Sequence, residues 1–387
     1  MNDDPRLIET EDSLRELIEA LAPIETLAVD TEFLWERTYL PKLALVQVAG
    51  RSAKGEVIGF AVDPLAVDPM PLLEFLKDPK RLKIMHAGRL DQQIMNHELG
   101  APLTPVFDSQ RAAALLGFGG QIGYANLVEV VLGEKLKKTE QYTDWTRRPL
   151  RETQIVYALA DVTHLVEVYE RLREQLLEGG RLAWAEEEMA WLSDPETYVD
   201  PPASELYLKI KRHRTLDRRG LAILRELASW RDQEARRRDR RPRFIAKDTT
   251  LLEIAARPPK TTKALKDVRG LHPNEIRHNG EALLKCVTRA MKLSQDELPA
   301  AARKAKKPRN VDAAVDLLRA FLAKRSTEVG VASETLVTTS ELERLARDST
   351  RERFKRDHPV LNGWRGGTFI ALVSTAPRRV NSSRCSL

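Results

Sequence analysis

The sequence predicts an α/β domain followed by two helical segments, and three observations support this prediction. In the first 180 residues, short apolar runs of strand length alternate with segments of helical apolar spacing. After Pro201-Pro202, every periodic segment has helical spacing. A basic stretch at residues 301–309 then divides the helical part in two. Alternating strands and helices are typical of a sheet with helices packed on its faces.

The elements of the first part follow from runs bounded by turn residues. The predicted strands are Leu27–Phe33, Leu43–Val48, Val57–Val62, Arg81–His86 and Val106–Phe107. The predicted helices are Pro71–Leu76, Leu90–Leu99, Ser109–Leu116, Tyr124–Leu132 and Leu150–Leu177. Beyond the proline pair, helices are predicted at Arg219–Arg238, Asp248–Ala256, Thr261–Lys266, Pro273–Lys292, Val311–Arg325 and Thr339–Asp348.

Composition excludes several classes of protein. The cysteines Cys286 and Cys385 form no C-x-x-C pair, which argues against a disulfide framework and a cysteine zinc site. No apolar run reaches the ~18 residues of a membrane span, and the acidic N-terminus lacks the layout of a signal peptide. We therefore expect a soluble protein of the cytoplasm, a reducing compartment, without a membrane partner.

Charge is distributed unevenly along the chain. Residues 1–210 contain 22 Lys and Arg against 36 Asp and Glu, a net charge of −14, whereas residues 211–387 carry +20. A basic half favours a polyanion such as nucleic acid as partner, and an acidic half can supply carboxylates for metal. Solvated helix surfaces would produce the same totals without a partner.

Two acids, Asp30 and Glu32, stand at the end of the first predicted strand. Because side chains alternate along a strand, both lie on one face, close together. Such carboxylates repel each other unless a cation lies between them, and Mg²⁺ and Mn²⁺ prefer oxygen ligands. The alternative is a strand end at which both acids face water.

Two other places can contribute acids to the same site. Tyr157 and Asp161 are four residues apart on an amphipathic helix and share a face, although a buried Tyr–Asp pair would have the same spacing. Asp91 falls in the first turn of a helix, where the helix dipole alone favours an acid. His86, just before that helix, is interpreted as substrate-facing or as a core histidine, and not as a metal ligand.

Together these positions supply four carboxylates and one tyrosine that can converge on one point. Two divalent ions about 4 Å apart, held by Asp and Glu, are the usual machinery for in-line attack of water on a phosphodiester. The acidic half would then carry the chemistry, and the basic half would hold the polymer.

These residues resemble the motifs of the ribonuclease D family, which are DEDD exonucleases with a tyrosine in the third motif. The matching residues are Val29-Asp30-Thr31-Glu32-Phe33 with Tyr39 to Leu43 and Gln47, then His86-Ala87-Gly88-Arg89-Leu90-Asp91, then Asp144 to Leu150 with Gln154, Tyr157 and Asp161. This resemblance covers about residues 25–180. Residues 205–290 resemble an HRDC domain, a helical nucleic-acid-binding module, and the segment with Asn362-Gly363-Trp364-Arg365 resembles a second one.

The resemblance implies an architecture and an activity. It implies a ribonuclease H-like α/β 3′–5′ exonuclease domain at residues 1–200, an HRDC domain at 205–292 and a second HRDC-like all-α domain at 305–376. The polar composition of residues 377–387 separately predicts a disordered tail. The implied activity is removal of nucleoside 5′-monophosphates, one at a time, from RNA 3′ ends by two-metal-ion hydrolysis with Mg²⁺ or Mn²⁺. The implied substrates are above all tRNA precursors, processed by a monomer.

The resemblance also implies roles for individual residues. Asp30, Glu32 and Asp161 would hold the ion on the nucleophile side. Asp30 would also reach the second ion, which Asp91 would support. Tyr157 would orient the attacking water. The resemblance implies that Phe33 and Leu90 bind the terminal bases of the substrate. His86 is the third predicted substrate-binding residue, on the interpretation of its position given above.

Two other functions remain open at this point. A DNA exonuclease of the same superfamily would differ in its relative turnover of matched RNA and DNA strands. A non-catalytic nucleic-acid-binding protein with an inactive exonuclease fold would lack one of the acids, and none is missing here. A helicase is disfavoured, because the sequence contains no G-x-x-x-x-G-K-[ST] phosphate loop.

Overall fold

A computed structural model of the chain describes residues 6–136, 140, 143–300, 311–349, 360 and 362–368. Within these ranges the chain divides into two compact units. Unit 1 comprises Met1–Glu32, Ala44–Tyr198 and Lys307–Leu387, and unit 2 comprises Phe33–Leu43 and Val199–Lys306. The tail predicted at 377–387 lies outside the described residues, and the predicted domain bounds stay predictions.

Unit 1 is built on a mixed six-stranded sheet. The strands are β1 (Leu7–Ile8), β2 (Thr26–Leu34), β3 (Lys42–Arg51), β4 (Val57–Val62), β5 (Leu82–Met85) and β6 (Val106–Asp108). Their order is β1-β4-β3-β2-β5-β6. The pairs β1–β4, β2–β5 and β5–β6 are parallel, and β3–β4 is antiparallel. The predicted α/β class of this part is confirmed.

The described residues of the first part of the chain form seven α-helices. They are α1 (Glu11–Leu21), α2 (Met70–Leu76), α3 (Arg89–Leu99), α4 (Ser109–Leu115), α5 (Tyr124–Leu132), α6 (Glu152–Glu178) and α7 (Leu182–Met189). Helices α1 and α7 and strand β1 were not predicted. A capping box between Thr10 and Ser13 marks the start of α1. The segment is rich in polar residues, so its apolar spacing did not stand out in the sequence.

Helix α6 covers one face of the β3–β4 pair. A methyl group added at Gly59 of β4 would lie 2.7 Å from Thr163 and 3.8 Å from Leu159, so a bare backbone allows α6 to approach the sheet closely. Ala158, Leu159 and Val162 are buried on this side of the helix. This contact holds α6, which carries the third motif, against the sheet whose strand β2 carries the acids of the first motif.

Unit 2 is helical. It contains α8 (Arg218–Arg237), α9 (Pro242–Ile245), α10 (Asp248–Ala256) and α11 (Pro273–Lys292), with 3₁₀ turns such as Leu206–Lys209. The predicted helix at Thr261–Lys266 is wrong, because the structure has only a 3₁₀ turn at Ala264–Asp267. The Thr261 hydroxyl accepts a hydrogen bond from the backbone N–H of Ala264 (3.2 Å), and the backbone is extended again at Val268, so only a 3₁₀ turn forms between these two residues.

The segment Phe33–Leu43, which follows the first motif, folds as part of unit 2. The hydroxyl of Tyr39 donates a hydrogen bond to Asp232 (2.6 Å), and its backbone N–H donates to Asp239 (2.9 Å). The guanidinium of Arg236 lies 4.6 Å from the centre of the Tyr39 ring. Helix α8 therefore fixes the chain that leaves the acidic strand β2.

The C-terminal helices share a core with the first part of unit 1. They are α12 (Val311–Val329), α13 (Ser333–Leu336) and α14 (Thr339–Ser349), followed by helical residues 363–368. Leu322, Leu336 and Leu345 belong to the same buried cluster as Leu115 of α4 and Leu172 of α6. Among the described residues, no helix is long and apolar enough to cross a membrane.

Polar and aromatic contacts reinforce this shared core. The guanidinium of Arg181 donates to the carbonyls of Leu115 (2.6 Å) and Gly330 (3.1 Å). Trp364 stacks on Trp184, with ring centres 5.1 Å apart and 18° between the ring planes. The C-terminal helices thus contribute to the stability of the unit that carries the acids.

We predict that Leu336→Ala lowers the free energy of unfolding by ~2–5 kcal/mol, because it leaves a cavity in this core. The matched control is Leu317→Ala on α12, since Leu317 is 61% exposed. We expect the control to change stability by no more than ~0.5 kcal/mol. Chemical denaturation measures both, and equal effects of the two variants would show that the C-terminal helices do not share the core.

Candidate active site

Three of the predicted acids meet at one point in unit 1. Asp30 and Glu32 lie on β2, and Asp161 lies on α6. One carboxylate oxygen from each residue falls within 4.8 Å of the other two. Two are close because of strand alternation, whereas the third arrives through the packing of α6 on the sheet.

Burial and mutual repulsion raise the pKa values of these carboxyl groups. Burial raises the pKa of Asp30 well above its ordinary value, and the charges of Asp91, Asp161 and Glu32 raise it further. The pKa of Glu32 rises to about 8 through burial and then through Asp161 and Asp91. The pKa of Asp161 rises to about 7, mainly through burial. The cluster is therefore poorly stable as free anions and favours either protons or a cation.

Asp91 lies beside the three acids, in the first turn of α3. It is buried and accepts a short hydrogen bond from the hydroxyl of Thr31 on β2. Burial raises the pKa of Asp91 to about 6, and the Thr31 hydrogen bond opposes this rise. Because its charge raises the pKa of Asp30 and of Glu32, Asp91 is within electrostatic reach of the cluster.

The corner between β5 and α3 is held by Asp108. Its carboxylate accepts hydrogen bonds from the backbone N–H groups of Ala87 (3.3 Å) and Gly88 (3.0 Å), and it also caps α4. A methyl group at Gly88 would lie 2.6 Å from Cβ of Met85, so this position requires glycine. Asp108 thus supports the start of the helix that carries Asp91.

Two tyrosines border the cluster. Tyr157 lies one turn before Asp161 and hydrogen-bonds to it, and burial together with nearby carboxylates raises its phenol pKa. Tyr124, the first residue of α5, donates to the carbonyl of Ala160 (3.1 Å). Burial and the neighbouring acids also raise the phenol pKa of Tyr124. Both phenols keep their protons at neutral pH and can serve as hydrogen-bond donors.

The three predicted substrate residues have different surroundings. Leu90 is 37% exposed next to Asp91, and Phe33 is half-buried after Glu32. His86 is enclosed, with Nδ1 2.9 Å from the hydroxyl of Ser109 and its ring edge-on to that of Tyr124. Burial lowers the pKa of His86. Such contacts are those of a structural histidine, and its substrate role stays a prediction.

Sequence reasoning did not identify Thr31, Ser109 and Tyr124. Thr31 could have been noticed, because alternation places it on the opposite face of β2 from the two acids, towards a different partner. No local pattern marks Tyr124, which reaches the cluster only because α5 packs against α6.

The donor set fits a hard divalent cation. All ligands offered are carboxylate oxygens, which suit Mg²⁺ and Mn²⁺ and not softer metals. Burial is the largest cause of the raised pKa of each of these groups, and neighbouring carboxylates add to it for Asp30 and Glu32. The three carboxylates therefore form a candidate site for a divalent metal ion.

We predict that the metal-free chain becomes less stable as the pH rises from about 5 to about 8. The folded state keeps protons on Glu32 and Asp161 up to pKa values of about 8 and about 7, whereas the unfolded chain releases them near pH ~4. Unfolding therefore releases protons in this range, and stability falls with pH. Melting temperatures in the presence of a chelator measure the effect.

Two comparisons isolate the contribution of the cluster. The Glu32→Gln/Asp161→Asn double variant should lose less melting temperature over the same pH range than the parent chain. Saturating Mg²⁺ should reduce the loss in the parent, since a cation that binds only the folded state stabilises it. A parent and a double variant with the same pH dependence would contradict the assigned repulsion.

Comparison with known proteins agrees with this arrangement. Residues 5–177 match the 3′-5′ exonuclease family, and residues 220–287 match the HRDC domain. The chain is 39% identical over 369 residues to ribonuclease D of Granulibacter bethesdensis, covering 94% of this chain and 90% of that protein. It is 40% identical to ribonuclease D of Gluconacetobacter diazotrophicus, covering 95% and 91%.

A solved structure shows the same fold. The crystal structure of Escherichia coli RNase D, an exoribonuclease involved in structured RNA processing, superposes with a TM-score of 0.84 at 30% identity. The match covers 97% of this chain and 98% of that one. On this similarity and on the cluster of acids, the chain belongs to the ribonuclease D family of 3′–5′ exoribonucleases.

Proposed function

We propose that the chain shortens RNA from its 3′ end at the acidic cluster, releasing one nucleoside 5′-monophosphate at a time. The observation that carries this proposal is the meeting of Asp30, Glu32 and Asp161 beside a protonated tyrosine, Tyr157. The proposed metal ligands are Asp30, Glu32, Asp91 and Asp161.

The proposed cofactor is a pair of divalent ions, Mg²⁺ or Mn²⁺. Bound there, the ions would polarise the scissile phosphodiester and activate the attacking water. Asp30, Glu32 and Asp161 are the proposed holders of one ion. Asp91, held by Thr31 beside the cluster, is the proposed support of the second, together with Asp30.

Tyr157 is the proposed orienting group for the attacking water. Its phenol keeps its proton at neutral pH, so it acts as a hydrogen-bond partner and not as a base. Its hydrogen bond to Asp161 fixes the ring next to the cluster. Removing the hydroxyl should therefore misplace the nucleophile and leave the metal ligands in place.

The side chains next to the proposed metal ligands form the proposed binding surface for the terminal nucleotides of the RNA. Leu90 leaves an apolar surface exposed one residue before Asp91, and Phe33 follows Glu32 on β2. Apolar and aromatic side chains hold terminal bases without reading sequence. This fits an enzyme that removes successive nucleotides.

Structured RNA, and tRNA precursors in particular, are the proposed substrates, processed in the cytoplasm by a monomer. The net charge of +20 in residues 211–387 supports a polyanionic partner larger than the terminal nucleotides. The E. coli relative, 30% identical, is described as acting in structured RNA processing. Turnover of a 3′-extended tRNA, compared with an unstructured RNA and a DNA strand of equal length, tests this choice.

We predict that Asp30→Asn and Asp161→Asn each reduce nucleotide release from 3′-labelled RNA by more than ~10²-fold. Each removes a charge whose metal contributes several kcal/mol to catalysis. Tyr157→Phe should reduce release by a smaller factor, because it removes one hydrogen bond and keeps the ligand set. Release is followed in Mg²⁺ and in Mn²⁺.

Asp68→Asn is the matched control, since Asp68 is an exposed acid that accepts a hydrogen bond from the backbone N–H of Met70, the first residue of α2. It should release nucleotides at the rate of the parent. Parent-like rates in Asp30→Asn and Asp161→Asn would overturn the assignment of the site.

We predict that neutralising exposed basic residues of unit 2 weakens RNA binding and its salt dependence. The variant carries Arg240→Ala, Arg243→Ala and Lys247→Ala, all exposed. If all three contact phosphates, the slope of log affinity against log salt falls by ~2, at ~0.7 per contact. Fluorescence anisotropy at several salt concentrations measures the slope.

The control for this variant changes three exposed basic residues of unit 1, Lys54, Lys80 and Arg171, to alanine. We expect it to keep the slope of the parent. Full-length variants are preferable to a chain ending near Pro201, because that truncation removes the partners of Tyr39. Equal slopes in the unit 2 variant and the parent would contradict the prediction.

A further inference from the structure

Gln47 on β3 is a fully buried polar side chain without a partner. Its relative exposure is 0%, and among the described residues neither its Nε2 nor its Oε1 has a hydrogen-bond partner. Buried amide groups are nearly always hydrogen-bonded, because losing water without gaining a partner is unfavourable. The mechanism above gives Gln47 no role, so its amide has an unexplained donor and acceptor.

Gln47 lies on the sheet face that α6 covers. It is paired with Ala61 across the antiparallel β3–β4 ladder, and two residues further along Ala49 is paired with Gly59. Paired residues share a face, and a methyl group at Gly59 would contact Thr163 of α6. The Gln47 side chain is therefore on the side of the sheet from which Asp161 approaches.

Asp30 occupies the same face on the next strand. Strand β2 is adjacent to β3, and the connection at residues 35–41 is too short for a parallel crossover, so the two strands are antiparallel. Asp30 faces α6, because one of its carboxylate oxygens lies within 4.8 Å of one from Asp161 on that helix. Asp30 and Gln47 therefore lie on the same face of two neighbouring strands.

The distance between such positions suits a hydrogen bond. On one face of an antiparallel pair, directly opposed residues have Cβ atoms ~4.5–5.5 Å apart and diagonal neighbours ~7–8 Å apart, and a long side chain such as glutamine can reach across either distance. The groups that surround Asp30 electrostatically are the carboxylates of Glu32, Asp91 and Asp161. The Gln47 amide is uncharged, so a hydrogen bond from it to Asp30 leaves the negative charge of the cluster available to a cation.

We propose that Gln47 is a positioning residue of the metal site. Its amide, which is unpartnered in this structure, would donate a hydrogen bond from Nε2 to Asp30 when a divalent cation is bound and so orient that carboxylate toward Glu32 and Asp161. This inference rests on the proposed function of the cluster. Groups that hydrogen-bond to metal ligands typically change metal affinity by ~10–100-fold. A purely structural amide would instead stabilise the fold and leave metal affinity unchanged.

Gln47→Leu separates these roles because it keeps the volume and removes the amide. We expect the Mn²⁺ dissociation constant, measured by calorimetry, to rise ~10–100-fold. We expect the melting temperature in the presence of a chelator to equal or exceed that of the parent, since an unpartnered buried amide is removed. Gln47→Met, with a more flexible side chain, is measured alongside in case leucine packs poorly.

Gln92→Leu is the stability control. Gln92 is also fully buried, but its amide is satisfied by Leu103 (2.8 and 2.9 Å) and Leu192 (3.1 Å). It should lower the metal-free melting temperature. The inference is overturned if both Gln47 variants bind Mn²⁺ within twofold of the parent. It is also overturned if the Gln47 variants lose as much melting temperature as Gln92→Leu.

A further variant, Asp30→Asn, distinguishes failure of the inference from failure of the proposed function. If the parent binds Mn²⁺ no better than Asp30→Asn, there is no metal site at the cluster and the proposed function itself fails. If the parent binds Mn²⁺ in an Asp30-dependent manner and the Gln47 variants bind equally well, only the positioning role fails.

Discussion

The repulsion between carboxylates held close together in a mostly buried place is the constraint on which the site depends. Folding removes water from the carboxylates of Asp30, Glu32 and Asp161, which makes their charged forms unfavourable. Their mutual repulsion adds to this free-energy cost. The surrounding fold supplies the free energy to hold them there. The large core of unit 1, to which the C-terminal helices contribute, opposes this repulsion. A divalent cation is the natural complement of such a cluster.

The residues around the cluster orient its carboxylates and do not neutralise them. Thr31 fixes Asp91 from the opposite face of β2, and Asp108 fixes the corner from which α3 begins. Tyr157 and Tyr124 bring hydroxyl groups that stay protonated. None of these partners brings a positive charge, so they leave the negative charge of the cluster in place. A basic side chain at the same place would have relieved the repulsion and taken the position of a cation.

Much of the site could be predicted from the sequence because its parts are local. Strand alternation places Asp30 and Glu32 together, and helical spacing pairs Tyr157 with Asp161. The meeting of the two pairs follows from the resemblance and not from spacing, since it depends on how α6 packs on the sheet at Gly59. The Thr31–Asp91 hydrogen bond joins residues 60 positions apart and has no local signature. Likewise, no pattern in Phe33–Leu43 indicates that this segment folds with α8 through Tyr39.

The most direct test of the central claim is the anomalous difference map of a crystal soaked in Mn²⁺. We expect Mn²⁺ to be bound between Asp30, Glu32 and Asp161, with a second ion bound by Asp30 on the side of Asp91. Density for ions elsewhere on the protein, and none at Asp30, would contradict the claim that these acids are held together to bind cations.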